Sequence, residues 1–247
     1  MQSTDLSEIR SLPLFSGMAD QSYDRLMRGV YVQHFPEGLT MIRQGDPADF
    51  LHILLAGQVE LFSSWAGRET TMAVLKPLGT FILAATIKDL PYLMSARTLE
   101  RSRIMLVPSK DLRTALGEDP MFARAIIEEL AGCYRAVVRH AKSLKLRNSR
   151  ERIASYLMRQ ARAAGNASSF QLSVEKRLLA SYLGMTAENL SRTLRSLESD
   201  GLKIDGTRVI IINPAKLMAV AQIELLMDGP DDTYLMTEGI SLPNIQA

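Results

Sequence analysis

Glu188, Ser191, Arg192 and Arg195 stand at i, i+3, i+4 and i+7, so a helix through them gathers all four on one face. These side chains suit base edges. A guanidinium spans O6 and N7 of guanine, a carboxylate accepts from the N4 amine of cytosine, and a hydroxyl serves in either sense. Leu190, Leu194 and Leu197 fall at i, i+4 and i+7 on the opposite side, where they would anchor the helix to a core. A mixed-charge face alone also describes any solvated helix, so the chemistry depends on the elements that position it.

Those elements can be read on both sides. Val174 to Leu183 carries Leu178, Leu179, Tyr182 and Leu183 in helical spacing and stops at Gly184, a residue able to close a helix in the left-handed conformation. Thr186 follows and can cap the next helix through its hydroxyl. Ala180 is small enough to let the two helices approach. A helix, a glycine turn and a second helix make a helix-turn-helix, whose second member enters the major groove. Beyond it, Lys203-Ile204, Asp205-Gly206 and Thr207 to Ile211 read as a hairpin around an Asp-Gly turn, forming a wing. Thr186, Arg195, Lys203 and Arg208 are placed to meet DNA phosphates.

The first half reads as strands: Tyr31–Phe35, Leu39–Ile42, Phe50–Leu55, Gln58–Phe62, Thr70–Leu75 and Ser102–Pro108, punctuated by glycines 38, 45, 57 and 79. Such spacing predicts a β-sandwich or roll, with short helices before it between Asp5 and Gly29. Between the halves, Ile126, Leu130, Cys133, Val137, His140 and Leu144 are spaced 4, 3, 4, 3 and 4. That run predicts a coiled-coil seam and a parallel homodimer able to read two half-sites. On this reading Cys133 is a small seam hydrophobe rather than a redox switch.

The chain has 247 residues, 29 Lys plus Arg against 27 Asp plus Glu, three histidines and one cysteine. A net charge of +2 excludes a polycation. Basic residues concentrate locally instead, at Arg139, Lys142, Lys145, Arg147, Arg150 and Arg152. A lone cysteine excludes an internal disulfide and suits a reducing cytoplasm. Residues 1–10 lack the apolar core of a secretory signal, and no apolar run approaches the roughly 18 residues of a membrane span. No Cys-x-x-Cys, His-Glu-x-x-His, phosphate-cradling glycine loop or Gly-x-Ser-x-Gly occurs, so the chain does not read as an enzyme.

The order of roll, long helix and winged helix-turn-helix resembles the CRP/FNR family of bacterial transcription regulators. The matching phrases are Ile42 to Asp49, Leu51 to Val59, Arg150 to Leu157 and Leu183 to Arg192. The resemblance implies an α+β chain with a β-roll sensor domain over 1–118, resembling a cyclic-nucleotide-binding double-stranded β-helix. A dimerisation helix over 119–147 and a DNA-binding domain over 148–228 would follow, with a loose acidic tail over 229–247. Glu188, Ser191 and Arg192 match the Glu-x-x-Ser-Arg form of the family's reading motif, which implies TTGAT-type half-sites in an inverted repeat. RNA polymerase is the further partner it implies, by default in activation.

The sensor half departs from the family's cyclic-nucleotide pattern. Where a phosphate cassette would stand, the chain has Gly79 to Thr86 and then Leu93-Met94-Ser95-Ala96. An apolar residue replaces the ribose-binding acid, Met94 or its neighbour replaces the phosphate arginine, and Arg97 has the opposite strand parity. Cyclic nucleotide binding is therefore not expected. An iron–sulfur cluster needs about four thiolates, and Cys133 is alone. Met72, Phe81, Ile82, Leu83 and Met94 are expected to line an apolar pocket. Either it is a filled core without effector or it houses an apolar group such as haem, with His34 or His52 as ligand. The alternative to a DNA-reading regulator is a ligand-binding sensor module with a degenerate DNA half.

Overall fold

The computed structural model describes residues 9–229. Residues 5–8 of the expected N-terminal helices and all but Gly229 of the expected acidic tail lie outside them. By packing, the chain divides into two compact units, one running to Tyr134 and the other beginning at Arg135.

The first unit opens with two short helices, α1 (Pro13–Ser16) and α2 (Asp20–Met27). Strands β1 (Tyr31–Phe35), β2 (Thr40–Ile42), β3 (Phe50–Ala56), β4 (Val59–Trp65), β5 (Arg68–Leu75) and β6 (Thr80–Phe81) follow. Then come α3 (Leu83–Lys88), β7 (Ser95–Thr98), β8 (Ser102–Pro108) and α4 (Ser109–Glu118). The strands form two antiparallel four-stranded sheets, ordered β1-β8-β3-β6 and β2-β7-β4-β5. Two apolar clusters explain why β3 is apolar almost throughout. Leu54 faces the roll interior with Val59, Leu61, Leu75, Phe81, Ala96 and Ile104. Leu51, Ile53 and Leu55 face the helices, against Phe15, Leu26, Leu112 and Phe122. A strand buried on both faces shows no alternation. Gly57 permits the next turn, with φ +94° and Ser102 so close that a Cβ would lie 2.7 Å from its Cα.

Helix α5 (Pro120–Leu146) spans the boundary between the units. Asp119 starts it, accepting from the Met121 and Phe122 amides at 3.0 Å each. The expected seam needs correction here. Ile126 is 1 % exposed and joins the core of its own unit, with Leu130 packed against it. His140 stacks on Tyr182, ring centroids 4.5 Å apart, and Cys133 is half-buried. Only Val137 and Leu144 of the six are exposed. The outward apolar row lies one residue on: Ile127, Ala131, Tyr134 and Val138, again spaced 4, 3 and 4. Both rows satisfy a heptad, and the chain's own core claims the first.

The second unit continues with α6 (Ser149–Ala163), β9 (Ser169–Gln171), α7 (Lys176–Tyr182), α8 (Ala187–Ser196), and a 3-10 turn over Leu197–Asp200. Strands β10 (Leu202–Asp205) and β11 (Arg208–Ile211), then helices α9 (Pro214–Ala221) and α10 (Leu225–Asp228), complete it. Asn148 and Glu151 cap α6 reciprocally, each side chain accepting from the other's amide. The hairpin turn falls one residue later than the sequence suggests. Asp205 pairs with Arg208, leaving Gly206 and Thr207 as the loop, with Gly206 at φ +60°. Strand β9, absent from the sequence reading, adds a third strand to the wing through β11.

Candidate nucleic-acid interface

Helix α8 carries the face expected to read bases. Thr186 caps it, its hydroxyl accepting from the Asn189 amide at 3.2 Å. Leu190, Thr193, Leu194 and Leu197 are buried beneath it, while Glu188, Ser191, Arg192 and Arg195 are all exposed. The Glu188 carboxyl is held below its ordinary range by backbone hydrogen bonding at the helix N-terminus, by the Thr186 hydroxyl and by Arg192. An ionised Glu188 is the acceptor form that a cytosine amine requires. Before α8, Gly184 takes φ +66°, and a Cβ there would come within 2.8 Å of Leu144 Cδ2. Ala180 is buried at the helix contact, as its size suggested.

Phosphate-contact candidates surround this face. Lys203 on β10 and Arg208 on β11 are exposed, and Arg208 Nε is steadied by Ser169 Oγ at 2.9 Å. Thr186 is exposed but already serves as the cap.

Three arginines of the basic run around residues 139–152, Arg147, Arg150 and Arg152, are turned to oxygens of their own domain. Arg150 braces the end of α8, donating to Ser196 O at 3.2 Å and to Asp200 Oδ2 at 2.5 Å. Arg152 Nε donates to Leu183 O at 3.0 Å, holding the turn ahead of α8. Arg139 and Arg147 are buried. Arg150 and Arg152 brace α8 at its end and at the turn before it, a role that sequence charge alone did not disclose. The Asn148-x-x-Glu151 capping signature, which fixes the start of α6, was the legible hint that they sit on an ordered helix.

The sensor interior departs from the expected pocket. Phe81 is in the interior cluster, with Ile82 and Met94 packed against it. Leu83 belongs instead to the cluster on the helix side, because α3 begins there and turns it away from the sheet. Met72 is 40 % exposed. The β4–β5 register slips beside it, pairing Leu61 with Ala73 but Phe62 with Thr71, so it bulges outward. The five residues therefore do not line one cavity. Ile82 itself takes φ +65°, a costly conformation for a β-branched residue.

Arg97 faces away from the interior. It donates to buried Glu60 through Nη2 at 2.6 Å and lies over the Phe62 ring, 4.5 Å from its centroid. Thr71 donates to the same carboxylate at 2.7 Å. That guanidinium is committed to the outer face of the sheet, so it cannot stand in for a phosphate-binding arginine. The two histidines also part. His34 is exposed on β1, whereas His52 is buried with its Nδ1 unpartnered. Its ring lies against Phe81 at 5.1 Å and edge-on to Tyr92 at 6.2 Å. Burial lowers its pKa to about 4 and keeps it neutral. Burial and then Glu129 push the Cys133 thiol up to about 12, which leaves it unreactive. Among the described residues no group of three or more His, Cys, Asp or Glu is gathered as for a metal ion, and no helix is long and apolar enough to cross a membrane.

Comparison with known proteins covers both units. Residues 32–119 match the family model described as a cyclic nucleotide-binding domain, and residues 151–220 match the Crp-like helix-turn-helix domain. The Cyclic AMP receptor protein of Thermus thermophilus is 25 % identical over 211 residues, covering 85 % of this chain and 96 % of that protein. The transcriptional activator protein Anr of Pseudomonas aeruginosa is 26 % identical over 191 residues, covering 75 % and 78 %. A crp/fnr-family regulator structure from Eubacterium rectale shares the fold with a TM-score of 0.69 at 17 % identity, over 85 % of this chain and 98 % of that one.

Proposed function

The chain belongs to the CRP/FNR family of transcription regulators, with a helix-turn-helix for DNA and a sensor domain, and from that premise we propose that it is a homodimer reading a TTGAT-type inverted repeat. The observation that carries this is the exposed row Glu188, Ser191 and Arg192 on a helix whose other side is buried. Arg192 pairs with guanine, Glu188 with cytosine on the complementary strand, and Ser191 lies beside a thymine. Arg195, Lys203 and Arg208 contact phosphates and fix the register. The dimer forms along Ile127, Ala131, Tyr134 and Val138 of α5, and the roll acts through that helix on the reading helices. RNA polymerase is the further partner, and the protein works in the cytoplasm.

Gel-shift titration against TTGAT-N4-ATCAA and a scrambled duplex tests this reading. Arg192→Ala relaxes selection at guanine by about 1–3 kcal/mol, whereas Lys203→Ala weakens every duplex alike and reduces the salt slope by about 1. Equal affinity for both duplexes, lost in parallel as salt rises, is the outcome that supports a degenerate DNA half instead.

For the effector, the buried and unpartnered Nδ1 of His52 is the better placed haem ligand of the two histidines, His34 being exposed. Phe81 and Tyr92 pack on its ring, however, and would have to give way to admit a macrocycle. Haem held there would supply a binding position for a diatomic gas. His52 offers the neutral imidazole that ligation needs, and Phe81 and Tyr92 flank it. Titration with haemin then gives a stoichiometric Soret band that His52→Ala abolishes and His34→Ala leaves intact. No band in the unmodified protein removes haem from the reading and leaves the roll as a filled core.

A further inference from the structure

We infer that Asp228 is a positioning residue for DNA binding, which it serves by clamping Arg147 at the joint between α5 and α6. This rests on the DNA-reading role proposed above, although the clamp itself is a matter of geometry. Arg147 and Asn148 are the two residues between the helices. The Arg147 amide still donates to Ser143 O at 3.2 Å, so the last turn of α5 runs into the joint.

The side chain of Asp228 is 0 % exposed, and that of Arg147 is 4 % exposed. Arg147 grips the carboxylate with both ends of its fork, Nη1 to Oδ1 at 2.9 Å and Nη2 to Oδ2 at 2.5 Å. The same two nitrogens donate to Ser155 Oγ at 2.9 Å and to Gln222 O at 3.2 Å. Asp228 also accepts from Ser155 Oγ at 2.6 Å, Arg159 Nη1 at 3.0 Å and the Glu224 amide at 3.0 Å. A bidentate guanidinium–carboxylate pair fixes direction as well as distance. Burial alone would raise the carboxyl's pKa. The Arg147 hydrogen bonds, the Glu224 amide and the Ser155 hydroxyl outweigh it and keep the group ionised well below the usual range.

The clamp continues toward the reading helix. The Arg147 carbonyl accepts from Arg152 Nη1 at 2.5 Å, and Arg152 Nε reaches Leu183 O, at the turn before α8, at 3.0 Å. One buried carboxylate at the end of α10 is thereby linked, through two arginines, to the turn that presents Glu188 and Arg192. Arg147 and Asp228 lie outside residues 151–220, which match the helix-turn-helix model, while Ser155 and Arg159 of the same cluster lie within them. In a dimer, the direction in which α5 leaves this joint sets the separation of the two reading helices.

Asp228→Asn in the full chain tests the inference by hydrogen exchange and by operator spacing. Exchange at amides 143–152 should rise by about tenfold while amides of α8 keep their rates. The preference for TTGAT-N4-ATCAA over duplexes with one base pair more or fewer between the half-sites should fall by a similar factor. A purely structural role would reduce binding to all spacings together and leave that ratio unmoved. Unchanged exchange at the joint overturns the inference, and so does faster exchange with an unmoved ratio. If Asp228→Asn unfolds the domain, Ser155→Ala removes a bridging hydroxyl without stranding a charge, and the same criteria apply. If the unmodified protein binds every duplex equally, the operator reading fails by itself, and exchange at the joint alone decides the clamp.

Discussion

Replacing Ile127 or Ile126 by alanine distinguishes the two heptad rows of α5. Each substitution removes three carbons, worth about 0.8 kcal/mol apiece when moved from water to an apolar contact. Ile127 is 65 % exposed in the single chain, so about 1.5 kcal/mol of that remains for a partner to claim. A two-fold dimer contains the side chain twice. The expected loss is then about 3 kcal/mol, or roughly two decades in the dimer dissociation constant, if the partner buries it completely. Ile126 has nothing left to give a partner at 1 % exposure. Ile126→Ala instead opens a cavity in the first unit and lowers its unfolding free energy by about 2–5 kcal/mol. Sedimentation equilibrium and chemical denaturation, run on both variants, separate the effects. An Ile127→Ala dimer as tight as the parent, or an Ile126→Ala protein whose association suffers more than its folding, refutes the outward row.

Chemical denaturation checks three further expectations. Gly184→Ala forces alanine into φ +66° and should cost the second unit about 1–2 kcal/mol by denaturation, with Leu144 shifting to admit the methyl. His140, half-buried beside Tyr182, has its pKa lowered to about 4 by burial and then by Arg159 and Arg152. Unfolding raises it to about 6.5, so the unfolded chain binds the extra proton. The second unit therefore holds its full stability above pH 6.5 and loses it as pH falls towards 4; a His140→Phe protein should show a flatter slope in that window. Thr186→Ala removes the cap of α8 and should lower stability by about 1 kcal/mol, read from the urea midpoint.

What could be read from the sequence was what local spacing determines. The face of α8 follows from 3.6 residues per turn, and Gly184 and Thr186 mark its start without reference to anything distant. Strands β1 and β8 were placed to the residue because turn formers bound them. The two-residue β6 and the short β7 and β9 escaped because such strands exist only through their partners: Phe81 pairs with His52, Ala96 with Leu61, and Phe170 with Val209. Periodicity alone does not register so short a strand; three-residue β2 was legible because Gly38 and Gly45 bracket it. The interior pocket failed for a related reason. A bulge at Met72 and a helix starting at Leu83 each reverse the face on which an apolar side chain falls, and neither leaves a mark in composition.

The arginines at 147, 150 and 152 show why local charge is a poor guide to a DNA footprint. Net charge near a reading helix suggests phosphate contacts, yet each of these guanidiniums is directed at an oxygen of its own domain: Asp228, Asp200, Leu183 O. A guanidinium satisfied internally is weakly available to phosphate and strongly placed to transmit geometry. The proposed phosphate contacts include exposed Arg195, Lys203 and Arg208; a two-fold dimer presents them twice, about six in all, so binding should fall by about three decades between roughly 50 and 200 mM salt. On the function proposed above, discrimination rests on the orientation of Glu188 and Arg192, and Arg150 and Arg152 brace the two ends of the helix that carries them.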